Sequence, residues 1–230
     1  MPFIEQQPLF DQYDFTLGFD ASSGINAAVG ANIIEVLYCP SGPNAKRHLD
    51  GNAVVAGNPT THYYGVMGPA GTTNPTNNVL GGITYPYTVG DAAINGVWSA
   101  HGMLSHFRVT AGSVSTNRII SLADVIDGTS NTLMVAERSQ QLPPGQANDY
   151  RTWIRGNHGG SGSCKNVTYP MNSTFYNGSN NFNHISFGSE HPGGCNFALG
   201  DASVRFIFED IDLAMYKGLA SIGSGEVTFP

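Results

Sequence analysis

Short apolar segments, each closed within a few residues by glycine or proline, limit what this chain can fold into. The segments "THYYGVMG" (61–68) and "TLMVAE" (132–137) are rich in β-branched and aromatic residues and predict strands. "NIIEVLYCP" (32–40) predicts a further strand or buried segment that ends at a proline turn. Near the C-terminus, "NFALGDASVRFIF" (196–208) predicts a strand, a tight turn and a second strand. The pattern therefore indicates a β-rich protein.

Helix signals are few and short. Ser121 is a good N-cap, Asp124 follows three residues later, and Gly128 can end the helix in a left-handed conformation. Asp212 has the same capping role before an amphipathic stretch at 213–220. These signals predict an α+β protein with short helices beside its strands.

The charge and the hydrophobicity of the sequence argue against nucleic acid as a partner and against a membrane span. Charged residues make up 12% of the sequence, against roughly 25% in an average protein, and the net charge is −7. No basic run is present that could neutralise a phosphate backbone, so nucleic acid is not expected as a partner. No apolar stretch reaches the roughly 18 to 20 residues of a membrane span. A surface hydrated mainly by amides and hydroxyls is typical of exported, loop-rich β proteins.

Five motifs occur in order along nearly the whole chain. They are "IEQQPLFDQYD", "CPSGP", "DGTSNTLMVAE", "HPGGCNFALGDASVRFI" and "LASIGSGEV". Together they resemble the DUF1559 family, exported pilin-like proteins expanded in Planctomycetes, whose C-terminal signature is written H-x9-DG. His191 and Asp201 match that signature, whereas Ala202 stands where it expects glycine.

The resemblance implies a pilin-like head, similar to type II secretion pseudopilins, with an antiparallel sheet, few helices and long inserted loops. We expect one such domain over residues 1–230, because nothing in the sequence resembles a linker. The insertions are predicted at 68–96 and 156–181, where Gly, Pro, Asn, Ser and Thr cannot sustain regular structure. Family members begin with a prepilin-type leader and a hydrophobic helix, and since neither is found in this sequence we expect no membrane anchor in it.

The stretch from His191 to Asp201 has three interpretations. In the first, Asp201 caps the turn between two paired strands, and His191 hydrogen-bonds to that turn or to the "DGTSN" loop. In the second, His191, Asp201 and Asp127 hold a metal ion, with Ca²⁺ favoured by the oxygen ligands and Zn²⁺ or Mn²⁺ by the histidine. In the third, His191 and Asp201 activate Ser130 or Ser189 as a nucleophile, although no GxSxG elbow is present. The first interpretation is preferred, and it needs no cofactor.

Glu137 and the three cysteines were the other candidates for chemistry. Glu137 ends an apolar strand and is structural if it is paired, or a candidate acid if it is not. For a disulfide we favour Cys164 with Cys195, because both lie in Gly- and Asn-rich stretches without large apolar neighbours. Three free thiols remain the alternative, since pairing cannot be deduced from sequence. Cys39 follows an apolar run and is interpreted as a buried thiol.

Aromatic residues flank both predicted loops, among Asn, Ser and Gly. Rigid aromatic faces in such settings bind sugars or proteins at small entropic cost. The predicted binding residues are Tyr85, Tyr87, Trp98, Trp153, Tyr169 and Tyr176.

The sequence thus favours a noncatalytic extracellular or cell-surface head that self-associates, or binds polysaccharide or protein, through its loops. The alternative is a secreted hydrolase, with or without a metal, that uses His191 and Asp201.

Overall fold

A computed structural model gives the fold. It describes residues 1–18, 24–43, 59–70, 79–80, 83–84, 96, 99, 101–105, 109–111, 114–116, 120–140, 152–154, 163–177 and 181–223. In chain order the helices and strands are α1 (Gln7–Gln12), α2 (Ile25–Gly30), β1 (Tyr63–Pro69), β2 (Val79–Leu80), β3 (Ile83–Thr84), β4 (Val109–Ala111), β5 (Val114–Thr116), β6 (Leu133–Glu137), β7 (Cys164–Val167), β8 (Gly194–Leu199), β9 (Val204–Phe208) and α3 (Leu213–Leu219). Single 3-10 turns cover Pro2–Ile4, Glu35–Leu37, Leu122–Asp124 and Phe182–His184.

Five strands form the main sheet, in the order β7-β1-β6-β8-β9. The pairs β1–β6, β6–β8 and β8–β9 are antiparallel, while β1 and β7 run parallel. The α+β class is therefore confirmed, but the sheet is mixed and not wholly antiparallel. The parallel strand β7 lies in the 156–181 segment, which was predicted as a loop. In the described part of the chain this segment supplies an edge strand.

The core lies between one face of this sheet and α3. Phe197 on β8 is fully buried and packs edge-on against Phe187 and against Tyr216 of α3. Asp212 caps α3 as predicted, because its carboxylate accepts the backbone N–H groups of Ala214 and Met215. None of the described helices combines the length and the apolar character needed to cross a membrane.

The turn between β8 and β9 confirms the preferred interpretation of Asp201. Its carboxylate accepts the Ser203 N–H at 2.9 Å and the Ser203 hydroxyl at 2.6 Å. These bonds hold the pKa of the exposed Asp201 carboxyl below its usual range. Ala202 follows in the left-handed region, with φ of 67°, a conformation that favours glycine. The glycine of the family signature is thus explained by backbone geometry.

Replacing Ala202 with glycine is expected to stabilise the protein by about 1 kcal/mol, because glycine adopts a positive φ without the Cβ penalty. The melting temperature should rise by roughly 2 to 4 °C in a chain of this size. Ala198→Gly on the neighbouring strand β8 is the control, and it should lower the melting temperature because glycine in an extended strand costs backbone entropy. A lower melting temperature for Ala202→Gly would contradict the assignment.

The disulfide prediction is wrong in this structure. Cys164 and Cys195 are both free thiols, as is Cys39. Cys164 lies on β7 and Cys195 on β8, and β1 and β6 separate these strands. Three strand spacings amount to about 14 Å, whereas the Cα atoms of a disulfide lie about 4.4 to 6.8 Å apart.

Candidate functional site

Three side chains from distant parts of the chain meet at one end of the sheet. Cys39, Glu137 and His191 each offer a ligand atom, and these atoms all lie within 4.8 Å of one another. The Nε2 of His191 is 3.5 Å from the Cys39 sulfur and 3.3 Å from Oε1 of Glu137. We call these three residues the Cys-Glu-His cluster.

Hydrogen bonds of the His62 backbone and imidazole ring bring Cys39 to the sheet. Cys39 follows the 3-10 turn Glu35–Leu37, and the Leu37 carbonyl accepts the His62 N–H at 2.9 Å. The Cys39 N–H in turn donates to Nδ1 of His62 at 3.2 Å. The His62 carbonyl accepts the Arg138 N–H at 2.7 Å, so the loop that carries Cys39 is fixed beside the end of β6.

Glu137 is the last residue of β6, and its side chain is only 1% exposed. Its Oε1 accepts the Ser139 hydroxyl at 2.6 Å, and its Oε2 accepts the N–H and the side-chain amide of Asn196 at 3.3 and 3.2 Å. Burial alone would raise the pKa of this carboxyl. Hydrogen bonds from the Cys39 thiol, Ser139 and Asn196 outweigh burial and lower the pKa below its usual value. Glu137 is therefore a paired, ionised carboxylate.

His191 approaches the cluster from the turn that precedes β8. Its N–H donates to the Ser189 hydroxyl at 3.0 Å, and that hydroxyl donates to the Gly194 carbonyl at 2.6 Å. The next turn requires glycine, since Gly193 has φ of 78° and a Cβ on Gly194 would collide with the Ile207 carbonyl of β9. The His191 side chain is 26% exposed and is the part of the cluster that solvent reaches.

The thiol of the cluster is neutral. Burial raises the pKa of Cys39, and its hydrogen bond to the Glu137 carboxylate raises that pKa further. Burial and the proximity of Cys39 and Glu137 also raise the pKa of Tyr63 to about 12. The anionic carboxylate of Glu137 therefore has two neutral groups near it, the Cys39 thiol and the Tyr63 hydroxyl.

The geometry of the three residues suits binding of a metal ion better than proton transfer from one residue to the next. In a catalytic triad the nucleophile and the acid bind different nitrogens of the imidazole ring. Here the sulfur of Cys39 and the carboxylate of Glu137 both approach the same Nε2 of His191. The ligand atoms of all three residues are therefore gathered within 4.8 Å of one another around this nitrogen.

The predicted pairing of His191 with Asp201 is wrong. The two residues flank the six-residue strand Gly194–Leu199, and a strand of that length separates them by about 20 Å. The Asp201 N–H donates to the Thr129 carbonyl at 3.2 Å. The "DGTSN" loop therefore lies beside Asp201 and away from His191.

Because of this separation, two predicted sites are wrong. They are the metal site of His191, Asp201 and Asp127 and the catalytic site of His191, Asp201 and Ser130. Ser130 is exposed in the loop at the Asp201 end. Ser189 does lie near His191, but its hydroxyl contacts the backbone and not the imidazole ring.

The predicted aromatic surface is only partly described. The indole N–H of Trp153 donates to the Asn32 carbonyl at 2.9 Å, and Tyr176 packs edge-on against Phe182 at 5.6 Å. Tyr169 is half-buried. The remaining three residues, Tyr85, Tyr87 and Trp98, lie outside the described residues. Binding through these aromatics therefore stays a prediction.

All three members of the Cys-Glu-His cluster are candidate residues in the sequence, but their meeting was not predicted. The available signal was their place in the motifs. Cys39 opens "CPSGP", Glu137 closes "DGTSNTLMVAE", and His191 opens "HPGGCNFALGDASVRFI". Each of these motifs delivers one side chain to the cluster.

A pocket of about 280 Å³ lies beside the cluster. Cys39 contributes to its wall together with Glu35, Tyr38 and His62. The cluster is therefore bordered by a pocket on the cysteine side and by solvent at His191.

Comparison with known proteins identifies a family. The model of a family described as a protein of unknown function (DUF1559) matches residues 1–214. No curated protein and no solved structure matches the chain.

Proposed function

The chain belongs to the DUF1559 family, and we propose that it is a noncatalytic head domain that works outside the cell or on its surface by self-association. The exported character of similar proteins and the low charge of the chain support this location. The observation that carries self-association is an exposed apolar row on the edge strand β9.

Strand β9 ends the main sheet, and β8 is its only neighbour in the described part of the chain. Its residues alternate, so that Ile207 is buried while Val204, Phe206 and Phe208 are 67%, 39% and 64% exposed. Phe206 and Phe208 also pack edge-on against each other at 5.4 Å. An edge strand with free backbone groups and an apolar face is a template for pairing with another strand.

The sequence of β9 makes a second copy the fitting partner. In an antiparallel pair of β9 strands with its two-fold axis at Ile207, each Phe206 lies opposite Phe208 of the second copy. In the same register each Arg205 lies opposite Glu209 of the second copy. Aromatic pairs and opposite charges directly across a strand pair are both stabilising. Asn172 donates to the Glu209 carboxylate at 3.0 Å and orients it at this edge.

The described geometry gives less support to the hydrolase. Asp201 is committed to the β8–β9 turn, and the imidazole of His191 faces Cys39 and Glu137. The serines considered as nucleophiles do not contact that ring in the described residues.

Self-association is tested by measuring the mass of the purified chain by light scattering over a range of concentrations. We expect a reversible dimer. The double variant Phe206→Lys and Phe208→Lys should remain monomeric, because in this register each lysine at position 206 would lie directly opposite the lysine at position 208 of the second copy.

The matched control carries the same two charges elsewhere. Leu122 and Ile126 are 68% and 76% exposed, so the double variant Leu122→Lys and Ile126→Lys should dimerise as the unmodified chain does. A wild-type chain that stays monomeric up to millimolar concentration would overturn the proposal, as would loss of the dimer in the control.

A further inference from the structure

We propose that the Cys-Glu-His cluster binds one zinc-class divalent cation. The inference is independent of self-association, because the cluster is built within one chain.

The two distances from His191 Nε2 to the other ligand atoms match the edges of a tetrahedral zinc centre. With metal bonds of about 2.3 Å to sulfur and about 2.0 to 2.1 Å to nitrogen and oxygen, the sulfur–nitrogen edge is about 3.5 Å and the nitrogen–oxygen edge about 3.3 Å. The observed separations are 3.5 Å from the Cys39 sulfur to His191 Nε2, and 3.3 Å from that nitrogen to Glu137 Oε1. The third separation, between the Cys39 sulfur and the Glu137 carboxylate, is within 4.8 Å, so the three ligand atoms are close enough together to bind one ion.

The donor set selects the class of ion. A thiolate beside an imidazole favours zinc and its late first-row neighbours, whereas Mg²⁺ and Ca²⁺ require oxygen ligands. Three protein ligands leave a fourth tetrahedral position for water or a small ligand.

The ligands are held by the surrounding structure, as metal ligands usually are. Ser139 and Asn196 fix the Glu137 carboxylate, His62 fixes the backbone of Cys39, and Ser189 fixes the backbone of His191. The cluster is thus preorganised, and little conformational entropy remains to be lost on binding.

Binding exchanges a proton for the ion. The Cys39 sulfur bonds to the cation as a thiolate and its proton passes to the solvent, while Glu137 bonds through an oxygen lone pair and His191 through a nitrogen lone pair. No oxidant or reductant is needed. Metal binding should accordingly release the proton of the Cys39 thiol.

Titration of the EDTA-stripped, desalted chain with Co²⁺ tests the site, because a cobalt–thiolate bond gives a charge-transfer absorption that other ligands do not. We expect one equivalent of Co²⁺ to produce this band and one equivalent of Zn²⁺ to displace it. Zn²⁺ should also raise the melting temperature by several degrees, because the ion binds the folded state.

Variants test whether the cobalt–thiolate absorption band comes from the Cys-Glu-His cluster. Cys39→Ser should abolish the charge-transfer band, and His191→Ala, which alters a partly exposed side chain, should weaken Co²⁺ binding at least tenfold. Cys164→Ser removes a thiol on β7 and should leave the titration unchanged. Circular dichroism confirms that each variant is folded.

Two results would overturn the inference. One is the absence of a thiolate band in a folded wild-type chain. The other is a band that survives Cys39→Ser or is lost in Cys164→Ser. Light scattering on the same samples reports the oligomeric state separately, so a failed metal site and a failed dimer are distinguished.

Discussion

Replacing Glu137 with alanine is expected to lower the free energy of unfolding by about 3 to 5 kcal/mol. The carboxylate is buried and accepts hydrogen bonds from Ser139, Asn196 and the Cys39 thiol. Alanine removes the common acceptor and leaves these buried donors unsatisfied, and each lost partner costs about 1 to 3 kcal/mol. Urea unfolding in the presence of EDTA measures the effect without any contribution from metal.

Asp11→Ala is the matched control for this experiment. Asp11 is exposed and accepts one hydrogen bond, from Gln7, so its removal should cost less than about 1 kcal/mol. Glu137→Gln, which keeps the size and one accepting oxygen, should fall between the two. If Glu137→Ala were no more destabilising than Asp11→Ala, the carboxylate would not hold this end of the sheet together.

Acidification from pH 6.5 to pH 4 is expected to remove about 3 kcal/mol of stability through His184 alone. Burial, aided by the charge of Lys217, lowers the pKa of His184 to about 4. The Nδ1 of the neutral ring lies 2.8 Å from the Thr168 hydroxyl. Because the unfolded chain binds this proton near pH 6.5, the contribution is fully present above that pH. This contribution is lost as the pH falls toward about 4, the pKa of His184 in the folded protein.

The His184→Asn variant isolates this contribution. The side-chain oxygen of asparagine can replace Nδ1 as the acceptor for Thr168, and asparagine does not titrate. The difference in unfolding free energy between pH 6.5 and pH 4 should therefore shrink by about 3 kcal/mol relative to the unmodified chain. Leu122→Asn, which alters a residue that is 68% exposed and leaves His184 in place, should keep the full difference. An unchanged pH dependence in His184→Asn would show that the imidazole is protonated in the folded protein.

Several elements could be predicted from the sequence because their signals are local. The alternating apolar residues of β9, the Gly-Asp turn before it and the Asp212 cap of α3 each involve residues only a few positions apart. The capping box of Ser121 and Asp124 was predicted for the same reason and is present. Prediction failed where the residues that pair are far apart in the sequence. β7 was predicted as part of a loop, because its pairing with β1 leaves no mark in its own polar sequence.

The candidate site likewise combines local features that the sequence predicts with contacts that it does not. The sequence by itself determined that His191 and Asp201 stand at the ends of a short strand, that Glu137 closes another, and that Cys39 follows an apolar run. Only the tertiary structure decided which of them meet, because contacts depend on the order of strands in the sheet. β6 and β8 are antiparallel neighbours, so the end of one lies beside the start of the other, and Glu137 meets His191. Cys39, 152 positions before His191, joins them through His62. Asp201 remains a strand's length away because an extended backbone separates its ends.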